Sequence, residues 1–224
     1  MDAIRRKRTG EIEPSQESLI ENERIQIEFQ QETTTEALFD EYPFDGQRVY
    51  EGILAYSEPP VIDGMDPKTE HYNLQFRSES GLFVIEGFGD YSRLDTVLTD
   101  TISSIPNFML GSVRSSQLGL WSFVFSAYNQ PEIVVRDFQQ NEVRSYESMS
   151  VLSELSKSQL MNEYSLHSAT VVFRHNDELI NVSYRDGDIS FADEPSRESR
   201  EYVLQKIETH ILEGVLIDEL VNEE

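Results

Sequence analysis

Residues Ser168–Leu212, SATVVFRHNDELINVSYRDGDISFADEPSRESREYVLQKIETHIL, decide the fold that the sequence predicts. Three short runs in this stretch alternate apolar and polar side chains: Ala169–Phe173, Ile180–Tyr184 and Ile189–Phe191. Alternation with a period of two is typical of a strand with one buried face. The pair Asp186-Gly187 favours a tight hairpin, because both positions tolerate the left-handed backbone of a type I′ turn. The stretch therefore begins with three antiparallel strands.

A helix is predicted to follow these strands. Asp193 or Glu194 is expected to cap it, and Pro195 suits the first helical position. The inward stripe is expected to consist of apolar residues at helical spacing: Val203, Leu204, Ile207, Ile211 and Leu212. The stretch as a whole is thus read as a β-β-β-α unit.

Two earlier segments fit the same order. The first has strands within Arg48–Glu58, His71–Arg77 and Leu82–Phe88, followed by a helix between Asp90 and Ile105. The second has strands within Gly119–Tyr128, Glu132–Phe138 and Glu142–Tyr146, followed by a further helix. We therefore predict an α+β fold of three β-β-β-α units, with mostly antiparallel sheets and the helices packed on one face.

The apolar run Gly119–Tyr128 is interpreted as a buried strand with Trp121, Phe123 and Phe125 on one face. Exposed aromatic residues of this kind can also stack on single-stranded nucleic acid. Such a platform needs neighbouring cations, and these are scarce here, so packing in the core is favoured.

The predicted domains are an arm and a body. Residues 1–46 are acidic and poor in apolar residues, which favours a partly disordered N-terminal arm. Within this arm, Arg24–Phe29 alternates and is compatible with a strand. Residues 47–224 form the α+β domain, and a subdivision near 106–118 also fits the sequence.

Acidity is the strongest compositional signal. The chain has 42 Asp and Glu residues against 18 Lys and Arg residues, for a formal net charge of −24. Repulsion among these charges opposes a compact state at low salt and is screened at high salt. Acid-rich, lysine-poor surfaces are typical of cytoplasmic proteins from salt-accumulating halophiles, which is our hypothesis for this protein. An ordinary acidic protein with a cationic partner, or a nucleic-acid mimic, is the competing interpretation.

Several classes of site have no support in the sequence. There are no cysteines, which excludes disulfides and zinc-thiolate sites. No apolar run approaches the roughly 18 residues of a membrane-spanning helix, so no span is expected. Gly87-Phe88-Gly89 lacks the third glycine of a dinucleotide loop. We expect no cofactor and no metal.

Ionisable residues form no pattern in the sequence that is typical of a catalytic or metal-binding site. His71, His167, His175 and His210 do not have ligand spacing in the sequence, and carboxylate pairs occur at Asp63/Asp66, Asp95/Asp100 and Asp186/Asp188. In so acidic a chain such pairs arise by chance. No catalytic residue is predicted, and an enzyme whose site is assembled from distant residues stays an alternative.

The leading functional hypothesis is a non-enzymatic protein-interaction or regulatory module. Its partner is expected to bind the apolar C-terminal segment through Val215, Leu216, Ile217 and Leu220, and a second copy of the chain would fit the same segment. The alternative is a nucleic-acid-associated regulator, disfavoured by charge, that uses arginines on one sheet face: Arg136, Arg144, Arg174 and Arg185.

Overall fold

The computed structural model describes residues 3–9, 19–21, 25–58, 68–86, 109–111, 113, 116–137, 142–146, 163–185 and 188–212. In these residues the protein is α+β, with two antiparallel sheets and two α-helices, which confirms the predicted class. The chain divides into two compact units. The first consists of Met1–Glu36 and Phe44–Ser112, and the second of Ala37–Pro43 and Val113–Glu224.

The first unit contains a sheet of seven strands. These are β1 (Ala3–Thr9), β2 (Leu19–Glu21), β3 (Ile25–Thr34), β4 (Arg48–Glu58), β5 (Lys68–Arg77), β6 (Leu82–Ile85) and β7 (Met109–Gly111). Their order across the sheet is β2-β3-β4-β5-β6-β1-β7, and the neighbouring strands pair antiparallel.

Apolar side chains in the middle of this sheet form the core of the first unit. Strand β3 buries Ile25, Ile27 and Phe29 and exposes the residues between them, as the alternation in the sequence predicts. All four residues of β6, which lies within the strand predicted over Leu82–Phe88, are buried. Packed aromatic rings extend this core, with Phe76 and Phe83 4.5 Å apart between ring centroids.

Three of the first unit's strands lie within residues 1–46, where the sequence suggested an arm. The backbone of β1 pairs with β6 and β7, and β3 pairs with β2 and β4. The pairing gives the backbone amides of these strands hydrogen-bond partners. The division of the chain into an arm and a body stays a prediction.

The second unit contains a sheet of five strands. These are β8 (Asn129–Asp137), β9 (Val143–Tyr146), β10 (Tyr164–His175), β11 (Glu178–Arg185) and β12 (Asp188–Phe191). Their order is β12-β11-β10-β8-β9, again with antiparallel neighbours. The turn between β10 and β11 has positive φ at both Asn176 and Asp177, as a two-residue type I′ hairpin requires.

Two α-helices complete the described part of this unit. Helix α1 is Gln117–Phe125 and helix α2 is Arg197–Lys206. A π-helical segment, Ile207–Leu212, continues α2. The predicted inward stripe of this last helix is confirmed at Val203, Leu204, Ile207 and Ile211, each at most 2% exposed.

The strand predicted over Gly119–Tyr128 is wrong, because α1 occupies most of this stretch. The Ser116 hydroxyl oxygen accepts a hydrogen bond from the Gly119 amide at 3.0 Å and caps the helix. Trp121 and Phe125, one helical turn apart, stack with their centroids separated by 5.6 Å. The described chain does not repeat the β-β-β-α order at this point. When an apolar run is buried on every side, its hydrophobicity does not alternate with a helical or strand period, so the sequence does not distinguish a helix from a strand.

The first turn of α2 also differs from the prediction. Ser196, not Asp193 or Glu194, is the N-cap, and its hydroxyl accepts from the Ser199 amide. The Glu178 carboxylate in turn accepts from the Ser196 amide at 3.0 Å and from its hydroxyl at 2.5 Å. These hydrogen bonds lower the pKa of Glu178.

Some predicted elements lie outside the described residues. They are the helix between Asp90 and Ile105, the helix after Tyr146, the Asp186-Gly187 turn and the C-terminal segment Val215–Val221. None of the described helices is both long and apolar enough to cross a membrane.

Gly52 in β4 provides a direct test of the seven-stranded sheet. A Cβ at this position would lie 2.2 Å from the carbonyl oxygen of Glu28 and 2.9 Å from the Cα of Phe29. We expect Gly52→Ala to lower the free energy of unfolding by about 1–3 kcal/mol, because the neighbouring backbone has to shift. Urea denaturation measures the change, with the exposed Gln26→Ala on β3 as the control. Equal stability of the two variants would contradict the close packing of β3 on β4.

Candidate binding surface

The five-stranded sheet has an inner face of buried apolar residues and an outer face. Along β10, Val171 and Phe173 are buried while Thr170 and Val172 are only half-buried. Rings of both helices contact the inner face, since Phe173 lies 5.2 Å from Phe123 and 6.4 Å from Tyr202 between centroids. The outer face is defined by these residues: Glu132, Val134, Arg136, Val143, Ser145, Ser165, His167, Ser168, Thr170, Val172, Arg174, Leu179, Asn181, Ser183, Arg185 and Ser190.

Three of the four predicted arginines share this outer face. Arg136, Arg174 and Arg185 alternate with buried residues of their strands and are exposed. Arg144 is the register partner of the buried Val135, which places it on the opposite side of the sheet. Three of the four arginines thus share a face and Arg144 does not, because a one-residue difference in register reverses the face. A role of these arginines in binding stays a prediction.

Arg174 and Arg144 each have an anionic neighbour. The Arg174 guanidinium lies 2.9 Å from the Asp177 carboxylate and 5.8 Å from the centre of the Tyr128 ring. The Arg144 guanidinium lies 3.7 Å from both Asp137 and Glu142, and a hydrogen bond with Tyr146 raises its pKa. Their charges are thus partly neutralised within the chain.

The outer face is poor in acids compared with the rest of the protein. Among the outer-face residues defined above, Glu132 is the acidic one. Asp188, on the neighbouring strand, is the register partner of Arg185. Most other positions carry short hydroxyl or aliphatic side chains. Two large apolar residues are unusually exposed there: Val143 at 51% and Leu179 at 56%.

The C-terminal residues predicted to bind a partner, Val215, Leu216, Ile217 and Leu220, lie outside the described residues. The structure therefore leaves this part of the interaction hypothesis as a prediction. The described chain ends with Leu212, at the end of the π-helical segment.

A serine and a histidine meet in the core of the second unit. The Ser122 hydroxyl of α1 lies 3.1 Å from Nδ1 of His210 in the π-helical segment. A hydroxyl next to an imidazole is the first requirement for nucleophilic catalysis. Ser122 and His210 are, however, at most 1% exposed, so a substrate has no access to the hydroxyl. This pair holds α1 against the π-helical segment, and no local pattern predicts it because 88 residues separate the partners.

A short segment from the N-terminal half, Ala37–Pro43, belongs to the second unit and packs on the last helix. The Leu38 amide donates a hydrogen bond of 2.9 Å to the side chain of Gln205, and the Tyr42 hydroxyl donates one of 2.6 Å to Glu208. The Lys206 ammonium lies 3.7 Å from the centre of the Phe39 ring, and burial lowers the pKa of Lys206. These contacts, of which the one between Tyr42 and Glu208 is buried, join parts of the chain that no local pattern connects.

The four histidines, which lack ligand spacing in the sequence, do not come together in a metal site in the described chain. His175 stacks on Tyr202 with a centroid distance of 4.6 Å, and its Nε2 lies 3.3 Å from Glu198. No group of three or more His, Asp or Glu side chains suited to a metal occurs among the described residues. At least one member of each predicted carboxylate pair lies outside those residues.

Trp121, Phe123 and Phe125 do not form a stacking platform. Trp121 and Phe123 are 0% and 1% exposed, as the core interpretation predicted, although they are on a helix instead of a strand.

No protein-family model matches the chain, and no curated protein is significantly similar to it in sequence.

The hydrogen bond between Tyr42 and Glu208 allows a test of how the Ala37–Pro43 segment is held. Tyr42→Phe removes a buried donor to a carboxyl group, and we expect a loss of about 2 kcal/mol in the free energy of unfolding. Tyr128→Phe is the matched control, since Tyr128 is 65% exposed. Chemical denaturation of both variants measures the difference. A Tyr42 variant as stable as the Tyr128 variant would show that the segment is held by other contacts.

Proposed function

We propose that the protein is a non-enzymatic protein-interaction module and that its partner binds the outer face of the five-stranded sheet. The observation that carries the proposal is the composition of this face. It presents the exposed Arg136, Arg174 and Arg185 with few acids, in a chain of net charge −24. A surface of this kind favours a partner with an acidic segment, because complementary charge speeds encounter and fixes orientation.

The burial pattern supports binding on this side of the sheet. The inner face packs through Phe173 against rings from both helices, and we infer that the helices cover this one face. The outer face retains Val143 and Leu179, more than half exposed, near its cationic residues. Apolar residues mixed with arginine are typical of the central part of a protein interface.

The C-terminal residues Val215, Leu216, Ile217 and Leu220 remain a second proposed attachment point. A partner protein or a second copy of the chain would bind their apolar side chains. The outer face and this segment are separable by mutation, so that each can be tested on its own.

We expect charge reversal on the outer face to abolish partner capture. The variant carries Arg136→Glu and Arg185→Glu, and the control carries Arg48→Glu, an arginine of the first unit whose side chain is 65% exposed. Affinity capture from native extract at high salt, followed by mass spectrometry, should recover the same stoichiometric partner with the parent and the control only. Recovery of that partner with the reversed face, or recovery of none by the parent, would reject the proposal.

Nucleic acid is the second candidate ligand. It is favoured because three arginines lie on the same face of the sheet. It is disfavoured because the net charge of the chain is −24. A gel shift at molar KCl with Arg136→Glu and Arg174→Glu separates the candidates. Binding by the parent that is lost in this variant would support nucleic acid in place of a protein partner.

We also propose that the protein is adapted to a high-salt cytoplasm. At a net charge of −24, screening should stabilise the fold, so the melting temperature should rise between dilute and molar KCl. A variant with four exposed glutamates neutralised should depend less on salt: Glu28→Gln, Glu79→Gln, Glu132→Gln and Glu194→Gln. Circular dichroism against temperature measures both proteins. A parent midpoint that does not change with KCl is incompatible with this adaptation.

A further inference from the structure

Strand β10 is irregular at the point where two arginines of the outer face approach it. Leu166 is the register partner of Val135 and Ser168 that of Val134, so His167 is an extra residue between them. This is a β-bulge, which can place two consecutive side chains on the same side of a sheet. The burial pattern agrees, because His167 and Ser168 are both half-buried between buried neighbours.

The bulge lies between Arg136 and Arg185. Arg136 on β8 is the register partner of Ser165, and Arg185 on β11 is that of Ser168. From the spacing of strands and residues, the two arginine Cα atoms are about 12 Å apart, within reach of one small ligand for two long side chains. We call Arg136, Ser165, His167, Ser168 and Arg185 the bulge cluster.

The bulge cluster combines the groups that recognise a phosphate monoester. A guanidinium donates paired, charge-assisted hydrogen bonds to phosphate oxygens, and hydroxyl and imidazole groups donate further ones. Arg136 and Arg185 bring two positive charges, and in the part of the chain that the structure describes Asp188 is the acidic residue at the register position beside Arg185. Glu132 is four residues from Arg136 along β8, about 13 Å away.

We propose that the bulge cluster binds a phosphoserine or phosphothreonine of the partner protein. This inference rests on the proposed function, since it names the chemistry that the outer face would recognise. Phosphate groups on proteins are commonly bound by clusters of arginine.

A single phosphate fits this surface better than a nucleic-acid backbone does. The third arginine, Arg174, is six residues from Ser168 on β10, about 20 Å along the strand, and it is engaged with Asp177 at 2.9 Å. A polyanion needs a continuous series of cations, and it is also repelled by a chain of net charge −24. One dianion needs only the local cluster.

The test is a nuclear magnetic resonance titration of the full-length, nitrogen-labelled protein. The probes are inorganic phosphate, a Gly/Ser peptide with one phosphoserine, and the same peptide without phosphate. We expect inorganic phosphate and the phosphoserine peptide to cause saturable chemical-shift changes at amides 134–136, 165–168 and 183–185. The peptide without phosphate should cause none. Arg136→Gln with Arg185→Gln should weaken phosphopeptide binding at least tenfold, whereas Arg48→Gln should leave it unchanged.

A second variant, Ser168→Asp, keeps the test decisive if the double variant does not fold. It adds a carboxylate to the cluster, and we expect it to weaken phosphopeptide binding by a similar factor while the remaining amide spectrum is preserved.

Three outcomes would overturn the inference: equal binding of the unphosphorylated peptide, shifts centred elsewhere, or unchanged affinity in both cluster variants. Tighter binding of a single-stranded oligonucleotide, with loss of affinity in Arg174→Gln, would also overturn it. If the variant with Arg136→Glu and Arg185→Glu fails to capture the partner but phosphate changes no amide shifts, only the inference of a phosphate site fails. If phosphate binds the cluster but the parent captures no partner, the proposed function fails, and the cluster is a phosphate site whose ligand is not a partner protein.

Discussion

The pairing of β10 with β8 on one side and β11 on the other is the constraint on which the second unit depends. Once the backbone hydrogen bonds set this register, alternate side chains are assigned to opposite faces. Val171 and Phe173 are then buried on one face, where the Phe173 ring lies near Phe123 and Tyr202, and Thr170, Val172 and Arg174 are placed on the outer face. The apolar inner face stabilises the unit, and the register it requires fixes which charged residues share the other face.

The charge of the outer face determines which kind of partner it favours. In a protein with 42 acidic and 18 basic residues, most surface is expected to repel an anionic partner. A face where arginines outnumber acids is the place where such a partner meets least repulsion. The bulge at His167 refines this arrangement, because the extra residue brings another polar side chain to the side occupied by Arg136 and Arg185.

Period-two alternation was sufficient to predict β10, β11 and β12, because each has one buried face and one polar face. In β3 the same alternation was only compatible with a strand, within a predicted arm. Helix α1 was not predictable in the same way. Its residues from Gly119 to Val124 are all buried, so hydrophobicity alone does not distinguish a helix from a strand. The signal that identifies it is the capping residue Ser116, which is weak evidence from sequence alone.

The candidate site could be predicted only in part. Strand assignments place Arg136, Arg174 and Arg185 on a sheet, but the face of Arg144 depends on the pairing of β8 with β9. The bulge at His167 depends on how β10 pairs with β8, and the contact of Tyr42 with Glu208 joins residues far apart in the chain. No local sequence pattern predicts either feature. The physical reason is that propensity and period act over a few residues, whereas these features join strands or segments far apart in the chain.

The accessibility of the outer-face arginines tests the central claim most directly. An arginine-specific dicarbonyl reagent, read by mass spectrometry, should modify Arg136 and Arg185 in the purified protein and leave the fully buried Arg77 unmodified. In native extract, Arg136 and Arg185 should become protected while Arg48 keeps its reactivity. Equal labelling of Arg136 and Arg185 in both settings, or none in the purified protein, would contradict an outer face that binds a partner.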